Sequence, residues 1–131
     1  MSEPTHSNLH GCWQVLKAEL GGQSMPADAA AQVELEFAPT GYTVRFGGEA
    51  TDEGIYTVNI TRDCWEIVLT GKLGVNAGRT IPGILQLKGD RMRVCYALEG
   101  NTPPPSFSAP EGTLFYLASY RRKSGASSHA P

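Results

Sequence analysis

The stretch Leu9-His10-Gly11-Cys12-Trp13-Gln14-Val15-Leu16 decides the fold. In an extended chain Trp13 and Val15 fall on one face and Cys12, Gln14 and Leu16 on the other, because successive strand side chains alternate. The run continues to Leu20, where Gly21-Gly22 turns the chain. A first strand over Gly11 to Leu20 is therefore expected.

Working outward, Met25-Pro26-Ala27-Asp28-Ala29-Ala30-Ala31 is the one good helical patch, a turn or two with a proline near its start, placed to plug or cover one end of the fold. Val33 to Phe37 and Tyr42 to Phe46 alternate with period two around Pro39-Thr40-Gly41, which reads as a hairpin. Glu53 to Ile60 and Trp65 to Thr70 follow, joined through Thr61-Arg62-Asp63-Cys64, and a Gly-rich connection spans Gly71 to Arg79. Ile81 to Lys88 and Arg91 to Leu98 flank the turn Gly89-Asp90. Glu99 to Gly112 carries Pro103-Pro104-Pro105 and Pro110 and is neither helix nor central strand, and Thr113 to Arg121 closes the fold.

This makes an all-β chain of eight strands of about five to ten residues, with one short helix between strands 1 and 2. Links short enough for neighbour-to-neighbour hairpins predict an antiparallel up-and-down β-barrel, whose closure removes exposed edges. A two-sheet sandwich is the structural alternative, but no long crossover of the Greek-key kind is present.

At 131 residues the chain is one domain by length, and 40% hydrophobic residues supply a core without staples. Residues 1–8 are expected as a flexible leader, 9–122 as the barrel and 123–131 as a disordered tail. A net charge of -2 offers no electrostatic reason to expect nucleic acid or an anionic membrane. The short basic groups, Arg91 with Arg93 and Arg121-Arg122-Lys123, read as solvated faces. Met1 to Ser7 has no basic-then-apolar pattern, and no apolar run reaches the roughly 18 residues of a membrane span, so a cytoplasmic location is expected. Cys12, Cys64 and Cys95 are scattered, which argues against disulfides and a zinc site and for free thiols.

With Gly11-Cys12-Trp13 on the first strand and Tyr120-Arg121-Arg122 ending the last, the chain resembles the lipocalin superfamily. The further points Gly22 with Pro26, Glu53-Gly54-x-Tyr56, Gly83-Ile84-x-x-Leu87-x-Gly89-Asp90, Val94-Cys95-Tyr96 and Phe107 make it similar to a bacterial branch of small lipocalin-like domains, over most of residues 9 to 122. The resemblance implies the barrel and a structural latch, Trp13 across the closed end under Arg121 or Arg122, a cation–π pair. That branch commonly shows Arg-Pro-x-x-Phe in the last loop, where this chain has Pro103-Pro104-x-x-Phe107. No activity is implied.

Chemistry-bearing residues are few. His6, His10 and His129 lie at or beyond the edges of the fold, so neither a catalytic histidine nor a metal site is expected. Cys95, between Val94 and Tyr96, reads as a small buried hydrophobe. The acid pairs Glu34 with Glu36 and Asp52 with Glu53 read as solvated charges. No cofactor motif is present.

What remains is the barrel interior, which at eight strands is either filled or holds one small ligand. Alternation nominates Val33/Leu35/Phe37, Tyr42/Val44/Phe46, Trp65/Ile67/Leu69, Met92/Val94/Tyr96 and Leu114/Tyr116/Tyr120 as inward sets. Candidate lumen residues for a ligand are Tyr42, Phe46, Trp65, Tyr96 and Tyr116, with Arg45 and Arg93 as polar groups. The expectation is non-enzymatic binding of a small hydrophobic or aromatic molecule. The alternatives are a solid-cored protein-interaction module presenting the proline-rich loop Asn101 to Pro110, and a cofactor-free cyclase or isomerase using the cavity.

Overall fold

The alternating segments form strands whose apolar faces converge on one interior. In the computed structural model, residues 9–61 and 65–123 are described. The strands are β1 (Gly11–Leu20), β2 (Gln23–Ser24), β3 (Val33–Phe37), β4 (Gly41–Phe46), β5 (Glu49–Ile60), β6 (Trp65–Gly74), β7 (Thr80–Lys88), β8 (Arg91–Ala97) and β9 (Phe115–Arg122), with helix α1 (Ala27–Ala30) between β2 and β3. From β3 to β9 each strand pairs antiparallel with the next, and β1 pairs with both β3 and β9. The result is a closed eight-strand up-and-down barrel. β2 is a two-residue hairpin partner on the end of β1 and not a barrel stave.

Several boundaries differ from expectation for local reasons. β5 begins at Glu49, earlier than Glu53, because Gly47 and Gly48, with φ of 62° and 91°, form the tight turn that starts it. Leu98 and Leu114 lie outside the strands, and the Leu98 amide donates to the Leu114 carbonyl at 2.9 Å, closing the base of the proline-rich loop. Lys123 is not part of a tail: its amide donates to the Cys12 carbonyl at 3.0 Å and its ammonium pairs with Glu34. Residues 1–8, the rest of the expected tail, and Arg62, Asp63 and Cys64 lie outside the described residues.

β1 carries a bulge between Val15 and Lys17. The extra residue, Leu16, is left exposed, and the alternation resets so that Trp13, Val15, Ala18 and Leu20 all belong to the inner side. One half of the barrel is packed solid by Leu9, Trp13, Phe37, Ile67, Leu85 and Val94, each 2% exposed or less. Burying each such side chain contributes about 1.5–3 kcal/mol. The Phe37 and Tyr56 rings, 4.7 Å apart and tilted by 55°, add an aromatic contact in this half.

The latch forms at this packed end. Arg122 lies over the Trp13 ring with its guanidinium carbon 4.3 Å from the centre. Its Nη1 donates to the His10 carbonyl at 2.9 Å, and its Nε meets Asp90 Oδ1 at 3.2 Å. The Trp13 indole donates to the Leu9 carbonyl at 2.9 Å. Arg121 takes no part: it is exposed, opposite Gln14 on β1 and Arg91 on β8. α1 packs against β1, where Gln14 Nε2 donates to the carbonyls of Ala30 at 3.2 Å and Val33 at 3.0 Å. Its Ala30 is buried in the core, and none of its residues lines the cavity described below. No described helix is long and apolar enough to cross a membrane.

Candidate functional site

The opposite half of the barrel is hollow. A cavity of about 310 Å³ lies there, walled by apolar side chains that include Val33, Leu35, Val44, Leu69 and Ile81. Its polar side chains come from a few strands and one loop. β5 brings Thr51 and Asp52, β8 brings Tyr96, β9 brings Tyr116 and Tyr120, and the Gly74 to Arg79 connection brings Asn76.

Asp52 is 6% exposed, the single buried charged residue among those described. It faces inward because Asp52, Gly54 and Tyr56 alternate with outward Glu53 and Ile55 along β5. Oδ1 accepts a hydrogen bond from the Tyr42 hydroxyl at 3.0 Å, and Oδ2 accepts one from Asn76 Nδ2 at 2.8 Å. Tyr42 reaches it over Gly54, its register partner: a β-carbon on Gly54 would lie 2.9 Å from Tyr42 Cε2 and 2.1 Å from the Thr70 carbonyl oxygen. Gly83 does the same for Tyr96 opposite, where a β-carbon would sit 2.7 Å from the ring. Two glycines thus leave room for two aromatic rings in the lumen.

The hydroxyls of Tyr96, Tyr116 and Tyr120 have no hydrogen-bond partner among the described residues. The one fully enclosed, unpartnered side-chain polar atom among those residues is His10 Nε2, so the three phenol oxygens open onto accessible space. Burial is the first cause raising each of these phenols above the ordinary tyrosine range, Tyr96 and Tyr120 well above it; for Tyr96, the proximity of Tyr116, Tyr42 and the Asp52 carboxylate adds to it. Tyr42 is raised likewise, by burial and then by Asp52. At neutral pH the site presents one buried carboxyl group amid neutral phenols.

Of the residues expected in the lumen, Tyr96 and Tyr116 line the cavity, and Tyr42 lies beside it on Asp52. Trp65 points inward but is buried in the packed half. Phe46 does not line the cavity: it ends β4 and is 49% exposed, since the strand runs out into the Gly47-Gly48 turn. Leu114, outside β9, is likewise exposed. Arg45 points outward, its Nη1 2.8 Å from Glu36 Oε1. Arg93 also points outward, bonded to Gln86 Oε1 at 2.8 Å and stacked 4.1 Å from the centre of the Phe107 ring.

Asp52, which reads from the sequence as a solvated charge, is the polar centre of the cavity. The signal was present, since extending the period of Gly54, Tyr56 and Val58 back by one step turns Asp52 inward. Asn76 carries no comparable signal, because a loop delivers it. Glu34 and Glu36 do lie on the outer face, paired with Lys123 and Arg45.

The proline-rich loop does not project. Pro104 and Ala109 are buried, Phe107 lies under Arg93, and the Ser108 carbonyl accepts from Cys95 Sγ at 3.4 Å. Cys95 is fully buried beneath this cover, and burial is the main cause that raises its thiol pKa. Among the described residues no group of His, Cys, Asp and Glu is arranged to hold a metal ion. A second, larger groove of about 510 Å³ runs over the outer surface between Leu16, Gln86, Arg93 and Ser119.

Compared with protein-family models, curated proteins and solved structures, the chain matches none.

Proposed function

We propose that this protein is a non-enzymatic binding domain of lipocalin-like type that holds one small, largely apolar molecule in the hollow half of its barrel. The observation that carries the reading is the cavity itself, about 310 Å³ within the lumen between apolar walls with a few convergent polar groups, beside a half in which Leu9, Trp13, Phe37, Ile67, Leu85 and Val94 are fully buried. A chain that can pack one half this tightly has residues large enough to fill the other, and small-molecule sites have this mixture of apolar wall and sparse polar groups. The Trp13–Arg122 latch supports the lipocalin-like assignment. The outer groove is the weaker candidate, being bordered by exposed strand-face residues such as Leu16 and Arg91.

Native mass spectrometry of freshly purified protein, with a Val44→Trp variant alongside, tests the reading. A small-molecule adduct that is lost on denaturation and absent from the variant is the expected result. A clean apo mass, together with no uptake of small aromatic probes by either protein, overturns it.

A further inference from the structure

The charge of Asp52 carries the reading further. We propose that the molecule held in the cavity is a small aryl-alkyl or alkyl monoamine, bound through its protonated nitrogen by Asp52; this rests on the cavity being a small-molecule site. An ionised carboxylate removed from water costs several kcal/mol unless a cation compensates it. Here the described partners are two neutral donors, Tyr42 and Asn76, and none of the three ion pairs among the described residues includes Asp52. Arg79, in the loop that carries Asn76, bonds the Asn76 and Leu98 oxygens instead. Two neutral hydrogen bonds satisfy part of the carboxylate and leave it facing the cavity with no cation beside it among the described residues.

The surroundings suit an ammonium group. Tyr96, Tyr116 and Tyr120 line the same space, and their unpartnered oxygens accept from N–H donors while their ring faces attract a cation. An anion is repelled by Asp52, and a neutral ligand leaves the charge uncompensated. At about 30 Å³ of liquid volume per water, the cavity has the room of roughly ten waters, enough for one ring with a short arm. One carboxylate among apolar walls selects a monoamine over a diamine, whose second charge would lie against Leu35, Val44, Leu69 or Ile81.

Isothermal titration calorimetry of the full chain at neutral pH, with phenethylamine, phenethyl alcohol and hydrocinnamate as probes, decides the matter. The expected result is an amine at least tenfold tighter than the alcohol, with hydrocinnamate weakest. Asp52→Asn, checked for an intact fold by its melting transition, should abolish the preference for the amine. Should that variant fail to fold, the ratio measured on the parent protein still decides. An alcohol that binds as tightly as the amine overturns the amine assignment and leaves the binding site standing. No binding by any of the three probes removes both readings.

Discussion

The Arg122 guanidinium lies over the Trp13 indole, 4.3 Å from the ring centre, and the same two residues are register partners across the β1–β9 seam. Side-chain stacking and main-chain pairing thus join the first and last barrel strands at one place, and the charge that does so is held by Asp90 and the His10 carbonyl.

Removing the indole should therefore be costly. Trp13→Ala is expected to lose about 3–5 kcal/mol, as a fully buried aromatic truncation, in urea denaturation followed by circular dichroism. A double-mutant cycle with Arg122→Ala should show a coupling of about 0.5–2 kcal/mol. A Trp13→Ala protein as stable as the parent would show that the latch holds nothing.

The neighbouring arginine should behave in the opposite sense. Arg121 on β9 is directly opposite Arg91 on β8, and like charges facing each other across strands repel. Arg121→Glu is expected to raise stability by roughly 0.2–1 kcal/mol at low ionic strength, with the gain shrinking as salt is added. An unchanged or lowered denaturation midpoint at low salt would rule this out.

Tyr42→Phe should cost about 1–3 kcal/mol, because it leaves Asp52 Oδ1 without the donor that satisfies it inside the barrel. Tyr56→Phe provides the comparison: its hydroxyl donates to the Ala38 carbonyl at 2.7 Å at a less enclosed position. Thermal melts of both variants would show Tyr42→Phe to be the less stable; the reverse order would contradict the account of Asp52.

High pH should destabilise the barrel through its tyrosines. All five, Tyr42, Tyr56, Tyr96, Tyr116 and Tyr120, have pKa values raised by folding, with burial the first cause in each. A raised pKa means that the folded state retains a proton the unfolded chain releases, so this contribution is intact below about pH 10 and declines above it. Each phenol still protonated in the fold removes about 1.4 kcal/mol per pH unit above that point. Absorbance at the tyrosinate band should accordingly rise only together with unfolding. Ionisation of any tyrosine near pH 10 in a protein that remains folded would contradict this.

The strands were legible because Val33, Leu35 and Phe37, or Met92, Val94 and Tyr96, repeat with the period that a half-buried strand requires. The same period turns Arg45 and Arg93 outward once Val44 and Val94 are placed inside, which is where their partners Glu36 and Gln86 hold them. Asp52 needed one more step of the same reasoning, across the start of a strand whose turn lies at Gly47-Gly48. The bulge at Leu16, the fold-back of Phe107 and Ser108, and the position of Asn76 were not legible, because each depends on where a neighbouring strand or loop comes to rest.

The β1–β9 seam gives the barrel the topology of a ring, in which no stave is privileged as the first. Trp13 pairs with Arg122 and the Lys123 amide bonds the Cys12 carbonyl, so a short linker between Leu9 and Lys123 could splice the two ends, and the exposed Gly47-Gly48 turn could be opened in their place. Such a circular permutant should close around the same hollow. Its order of synthesis would then bring β4 in last, which separates the geometry of this barrel from the direction in which its chain is read.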